Sequence, residues 1–288
     1  MRNEREMLDL ILGFAKRDER IRAVMMNGSR LNAEAPRDIF QDYDIVYFVT
    51  AVDDFVADRS WIRSFGDILM MQTPDEMEIP PADGNDSFAY LMLFTDGNRI
   101  DLTFYPINQI TRFKAESLSM VLLDKDNKME TLPPPSNRDF LPMPPTEKQF
   151  LDCCNEFWWV STYVAKGLWR GELGYAKVMF ERPVRDMLMV MLNWYIGIHT
   201  NFSADPGKCG KYYKKYLDPE KWNAFVKTFS DAEVENMWQA LFVMCALFRE
   251  TAQAVANQFG YRYPLEDDKR VTAYLKRVKD LPRDASRF

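Results

Sequence analysis

A chain of 288 residues with a net charge of −6 and a pI near 5.1 speaks against a nucleic-acid acceptor, which demands a basic track for its phosphates. Adjacent Cys153 and Cys154, isolated Cys209 and Cys245 and the lone His199 argue against a disulfide framework, a zinc knuckle and a Ser-His-Asp mechanism. The longest apolar run, Met187 to Ile198, is broken by Asn193 and falls short of the about 20 residues that span a bilayer; the charged opening MRNEREM does not read as a signal peptide, so cytoplasmic residence is expected.

In chain order, a helical stretch over Glu4 to Arg20 precedes an apolar strand, Ile21 to Met26, that runs into Asn27, Gly28, Ser29 and Arg30. A glycine there lets backbone amides approach a phosphate closely. The next strand, Tyr43 to Thr50, alternates faces, so Asp42 and Asp44 project to one side and Tyr43 and Ile45 to the other. A helical stretch over Asp53 to Phe65 follows. Asp75, Glu76, Glu78, Asp83 and Asp86 then form an acidic segment that reads equally as a solvated loop or as a substrate rim. The turn signal Asp96, Gly97, Asn98 introduces an alternating strand, Arg99 to Tyr105, with Asp101 inside it; a hairpin is expected. A further helical stretch covers Ile107 to Ser117.

The proline-dense segment LPPPSNRDFLPMPP, residues 132 to 145, disfavours helix or internal strand and reads as a semi-rigid connector between domains at 1–135 and 146–288. Beyond it the apolar spacing is helical, through Phe150, Cys153, Cys154, Phe157 and Trp158, through Met187 to Ile196 and through Val234 to Phe259. Thr146 reads as a helix cap, Gly171 and Gly174 as a break, and Asp205, Pro206 and Gly207 as another. The fold class is therefore α+β: an N-terminal domain with a mixed β-sheet and flanking helices, then a C-terminal helical bundle.

A strand-turn Gly-Ser, an Asp-x-Asp opening the next strand and a third acid in a later strand read together as a metal-dependent nucleotidyl-transfer site. Hard carboxylate oxygens suit Mg²⁺, and two ions about 4 Å apart would clamp the attacking and leaving oxygens of an in-line displacement at phosphorus.

At these residues the chain resembles the DNA polymerase β-like nucleotidyltransferase superfamily, whose signature is Gly-Ser, a gap of about ten residues, then Asp-x-Asp. The segments MMNGSRLN, DYDIVYFV, NRIDLTFYP and CNEFWWVSTYVAKGLWRGEL are similar to those of the aminoglycoside 6-adenylyltransferases, bacterial streptomycin-resistance enzymes, and the resemblance covers nearly the whole chain. It implies transfer of AMP from ATP to the 6-hydroxyl of streptomycin with release of pyrophosphate.

Under that resemblance Asp42 and Asp44 would ligate metal, and Asp101 would be the base or share the metal. Gly28 and Ser29 would hold the β- and γ-phosphates. Arg30 would face the leaving pyrophosphate or pair with a neighbouring acid. Lys177, Lys208 and Lys211 are candidates for the triphosphate, although PGKCGK is not a Walker loop because Cys209 stands where Ser or Thr is required. Glu156 and Glu172 would accept the guanidinium forks of streptomycin, and Trp158 or Trp159 would offer a stacking face. Adjacent tryptophans point about 100° apart on a helix, so at most one of them faces a given cleft. Two other readings stay open: another small hydroxylated acceptor (a different aminoglycoside or a lincosamide), and a nucleotide-binding module without catalysis. The three intact aspartates and the large second domain weigh against the latter.

Overall fold

Asn3 opens the first helix, α1 (Glu4–Arg17), through a capping box: its side chain accepts from the Glu6 amide at 3.0 Å while Glu6 accepts from the Asn3 amide at 2.7 Å. Met7, Ile11, Phe14 and Ala15 form its buried stripe. Each large side chain there is worth about 2 kcal/mol on burial against about 1 for a cap, so packing rather than capping holds α1 in place. The structure is a computed structural model and describes residues 1–288 apart from Asp83 and Asn85. The chain divides into two compact units, Met1–Asp139 and Phe140–Phe288.

The first unit is built on six strands: β1 (Ile21–Asn27), β2 (Tyr43–Val49), β3 (Ile68–Gln72), β4 (Phe88–Phe94), β5 (Arg99–Pro106) and β6 (Ser119–Asp124). Their order is β3-β4-β5-β2-β1-β6, with β2 and β5 parallel and every other pair antiparallel. One face is thickly covered. Tyr43, Ile45, Tyr47 and Val49 of β2 pack there with Ile100, Leu102 and Phe104 of β5, the stripe of α1, and Phe55, Trp61 and Phe65. The buried Tyr47 hydroxyl donates to the Ile11 carbonyl at 2.6 Å, which ties α1 to the sheet. The other face carries a smaller cluster, Ala23, Met25, Val46 and Phe48, under Ile107, Ile110 and Phe113.

The expected hairpin is present: the Phe94 amide donates to the Asn98 carbonyl and Gly97 takes φ +86°. Arg2 reaches its turn, with Nε 2.7 Å from Asp96 Oδ2, and this guanidinium holds the Asp96 carboxyl well below the usual carboxylate range.

Two expected helices are corrected. Asp53 to Phe65 is not one helix but α2 (Asp53–Ala57) followed by a 3₁₀ segment at Ser60–Phe65, because the Asp58 side chain accepts the Ser60 amide and starts a new turn. Ile107 to Ser117 is a 3₁₀ segment only as far as Arg112. Its apolar residues Ile107, Ile110 and Phe113 recur every third position, the period of that tighter helix.

In the second unit α3 (Glu147–Arg170) starts on a Thr146–Gln149 capping box and stops at left-handed Gly171. Gly174, expected in the break, lies within α4 (Leu173–Met179). A π turn at Phe180–Val184 holds Pro183 and leads into α5 (Arg185–Thr200). The remaining helices are α6 (Tyr213–Tyr216), α7 (Pro219–Lys227), α8 (Val234–Phe259) and α9 (Leu265–Asp280). Phe157 of α3 stacks on Phe248 of α8 at 3.7 Å in the shared core. Buried Asp268 joins α9 to α8, accepting from Arg249, Tyr263 and Thr272. Among the described residues no strand follows β6, and no helix is long and apolar enough to cross a membrane.

Candidate active site

Strand pairing assembles the site. Asp44 of β2 lies in register with Asp101 of parallel β5, with Asn27 of β1 on its other side and Ser119 of β6 beyond that. Residues opposed in a sheet share a face, so Asp101, Asp44, Asn27 and Ser119 form one polar row. They carry the parity of Val46 and Phe48, the thinly covered face, whereas Tyr43 and Ile45 enter the main core. Asn27 Oδ1 and Ser119 Oγ are buried without a hydrogen-bond partner in the structure, so the row is not closed upon itself.

Burial pushes the Asp44 carboxyl up to about 6, and the neighbouring charges of Asp101 and Asp42 push the same way. Asp42 is raised as well, mainly by burial, with Arg99 opposing the shift. Arg99 is the cation of the row. Its Nε donates to Asp101 Oδ1 and its Nη2 to Asp101 Oδ2, both at 2.7 Å, and Nε stands 3.6 Å from Asp42 Oδ2. No three carboxylate, thiol or imidazole groups converge as a metal cluster among the described residues. The donor chemistry nonetheless fits a hard divalent cation, since Asp42 and Asp44 offer carboxylate oxygens whose charge burial disfavours and a bound cation would favour.

Gly28 has φ +83°, and a Cβ built on it would lie 2.1 Å from Asp44 Oδ2, so the glycine makes room for the carboxylate. Its amide is already spent on the Leu118 carbonyl at 3.0 Å, which corrects the expectation that it faces a phosphate. The Ser29 hydroxyl makes no hydrogen bond among the described residues. Of the two expectations for Arg30 the structure shows the pairing with a neighbouring acid: it stands 3.8 Å from Glu4, stacks 3.6 Å over Tyr43 and donates to the Asp42 and Gln41 carbonyls at 2.9 and 2.7 Å, holding the segment that presents Asp42. Of the acidic segment, Asp75 accepts the Ala89 amide, Glu76 pairs with Arg59 and Asp86 accepts from Gln109, while Asp83 lies outside the described residues.

The candidates of the helical unit fall into two groups. Lys177 donates to the Ser230 carbonyl at 2.7 Å and is therefore engaged within its own unit. Trp158 is 2% exposed, sits edge-on to Phe157 and Phe248 and has the Arg249 guanidinium 5.6 Å over its ring, so it is core that only borders a cleft between α3 and α9. Trp159, 60% exposed, stands one turn from exposed Glu156 on α3 and donates to the Tyr163 hydroxyl. That cleft, of about 670 Å³, has Trp159, Asp152, Asn155, Asp267 and Arg270 in its lining. Glu172 is exposed beside Arg170. Lys208 and Lys211 are exposed on a turn whose glycines have packing reasons: a Cβ on Gly207 would meet the Lys211 stem, and one on Gly210 the Tyr213 ring.

Arg99, Asn27 and Ser119 were not among the sequence candidates. Arg99 was within reach, since it stands two residues before Asp101 on an alternating strand and must share its face. Ser119 carried no such signal, because only its pairing with Asn27 brings it into the row.

A family model described as streptomycin adenylyltransferase matches residues 1–278. An aminoglycoside 6-adenylyltransferase of Bacillus subtilis (strain 168) is 42% identical over 280 residues, covering 96% of this chain and 98% of that protein. One from Campylobacter jejuni is 43% identical over 280 residues, covering 97% and 96%. A crystal structure of an aminoglycoside 6-adenyltransferase from Bacillus subtilis is 39% identical and covers 98% of this chain and 100% of its own, with a TM-score of 0.49.

Proposed function

Because the chain belongs to the streptomycin adenylyltransferase family and so to the nucleotidyltransferases, we propose that it transfers AMP from ATP to the 6-hydroxyl of streptomycin in the bacterial cytoplasm. The observation that carries the reading is the in-register pairing of Asp44 with Asp101 across parallel strands, with Asp42 just ahead of β2 and 3.6 Å from Arg99. This arrangement supports an in-line displacement at phosphorus, because it gathers carboxylates where an alkoxide must be generated and phosphate charge neutralised.

Asp42 and Asp44 would hold Mg²⁺, which when bound supplies positive charge to the phosphate oxygens and polarises the α-phosphorus. Asp101, once released by Arg99, takes the proton of the acceptor hydroxyl as that oxygen attacks the α-phosphorus. The bond from the α-phosphorus to the bridging oxygen breaks, and pyrophosphate leaves with the electron pair. Ser29 donates its hydroxyl to a phosphate oxygen, and Lys208 and Lys211 remain candidates for the triphosphate. Gly28 contributes by admitting the Asp44 carboxylate, and Arg30 by fixing the backbone at Asp42. Glu156 is a candidate acceptor for a guanidinium group of streptomycin, with Trp159 giving an aromatic face one turn away, whereas Glu172, just past the far end of α3 and about 24 Å farther along its axis, is an alternative to Glu156 and not its partner.

The test is to incubate the purified protein with ATP, Mg²⁺ and a panel of aminoglycosides, following pyrophosphate release and the mass of each antibiotic. Streptomycin should gain one AMP and kanamycin-type compounds none. Equal modification of both classes would demote the 6-hydroxyl assignment, and no modification of any would remove the reading.

A further inference from the structure

The bidentate fork between Arg99 and Asp101 lies inside the carboxylate row. Arg99 and Asp101 are two residues apart on β5 and share a face, and the guanidinium takes both Asp101 oxygens at 2.7 Å while standing 3.6 Å from Asp42. A fork of this geometry is among the stronger charge-assisted contacts. It sets a fixed cation against both Asp101 oxygens and close to Asp42, so an incoming divalent ion meets a positive charge already in place. Arg30 also acts on Asp42 and Asp44 through its charge, but its fork is committed to the Gln41 and Asp42 carbonyls and does not contact the carboxylates.

From this we infer that Arg99 is the resident cation of the row, a positioning residue that a divalent ion must displace from Asp101 and Asp42 before the site is complete. The inference rests on the nucleotidyl-transfer reading above. Arg99 orients and neutralises Asp101 while nucleotide is absent, and so lowers the affinity of the nucleotide-free protein for metal. When nucleotide arrives, a pair of oxygens on one of its tetrahedral phosphates can accept the same two-pronged fork that the guanidinium gave to the carboxylate. Metal and nucleotide thereby favour one another, as linkage requires of two ligands that each relieve the other's cost.

The experiment is titration of the full-length, nucleotide-free protein with Mn²⁺, with free ion read by electron paramagnetic resonance. Arg99→Gln should bind Mn²⁺ more tightly than the unsubstituted protein, by a factor on the order of 10, within the range of such couplings. Arg99→Lys keeps a cation and should remain near the unsubstituted affinity. The sign separates this role from a merely structural one, because a disordered site loses metal. Equal or weaker Mn²⁺ binding by Arg99→Gln, with circular dichroism unchanged, overturns the inference while leaving the nucleotidyl-transfer reading in place. If neither the unsubstituted protein nor Arg99→Gln binds Mn²⁺ any better than Asp44→Asn, the metal reading fails and the inference with it.

Discussion

Gly28 and Asp44 compete for one space: a Cβ on residue 28 would stand 2.1 Å from Asp44 Oδ2 and 3.0 Å from its Cγ. The glycine ahead of Ser29 is thus demanded by the carboxylate of the neighbouring strand as well as by its own φ of +83°. Gly28→Ala should shift the Asp44 carboxylate and lower turnover about 10²-fold, the usual penalty for a displacement of about 1 Å at a reacting centre. The backbone there, with φ +83° and ψ −158° in a region that essentially only glycine adopts, should add a loss of about 1–3 kcal/mol of stability. Pyrophosphate release and urea unfolding measure the two effects, and an alanine variant with ordinary turnover would contradict the role given to this contact.

Asp44 also predicts a pH dependence in EDTA-treated protein. Its folded carboxyl is raised to about 6, above the roughly 3.9 of an unfolded aspartate. The native state therefore holds this proton more tightly, so its contribution favours folding most below pH about 4 and declines as pH rises through 4 to 6. Asp44→Asn should flatten that decline and leave the metal-free protein about 1–2 kcal/mol more stable at pH 8, while abolishing turnover. Denaturant titrations at pH 4.5 and 8 compare the two proteins; a variant that loses stability at pH 8 would refute the expectation.

Asp101→Asn should reduce kcat by a factor on the order of 10² to 10⁴ while ATP affinity stays largely intact, the pattern of a lost general base. Should Mg·ATP binding collapse instead, Asp101 acts chiefly as a metal ligand. Isothermal titration with ATP and Mg²⁺, beside steady-state rates, distinguishes the two roles.

Asp268 is 1% exposed and accepts from Arg249, Tyr263 and Thr272. Asp268→Ala leaves the Arg249 charge without its partner in a half-buried position and should cost about 3–5 kcal/mol, the range for breaking a buried pair from one side. The pair joins α8 to α9, so the loss should appear in thermal unfolding of the helical unit. A change below 1 kcal/mol, the scale of an exposed pair, would show that water reaches the pair.

Local pattern carried much of this protein. The period-two alternation of β2 and β5 told which way Asp42, Asp44 and Asp101 point relative to Tyr43 and Ile100, and Asp96-Gly97-Asn98 marked the hairpin, because side-chain parity and turn chemistry are properties of a few consecutive residues. The same holds for the Thr146 cap and the Gly171 stop of α3. The helices expected at Asp53 to Phe65 and Ile107 to Ser117 were less legible, since short apolar runs allow both α and 3₁₀ periods and packing on the sheet chose between them.

Other features came only with the tertiary structure. The hairpin by itself does not bring Asp101 to Asp44; that follows from parallel pairing of β2 with β5, strands separated in sequence by β3 and β4. Register between distant strands depends on which faces the whole sheet can bury, and no short window of sequence contains that information. Long-range packing likewise decided that Arg99 grips Asp101, that Arg30 is spent on the Gln41 and Asp42 carbonyls, and that of two adjacent tryptophans Trp158 is core and Trp159 exposed. Residue type determined what each group can do, and the partners supplied by remote segments determined which of them are free to do it.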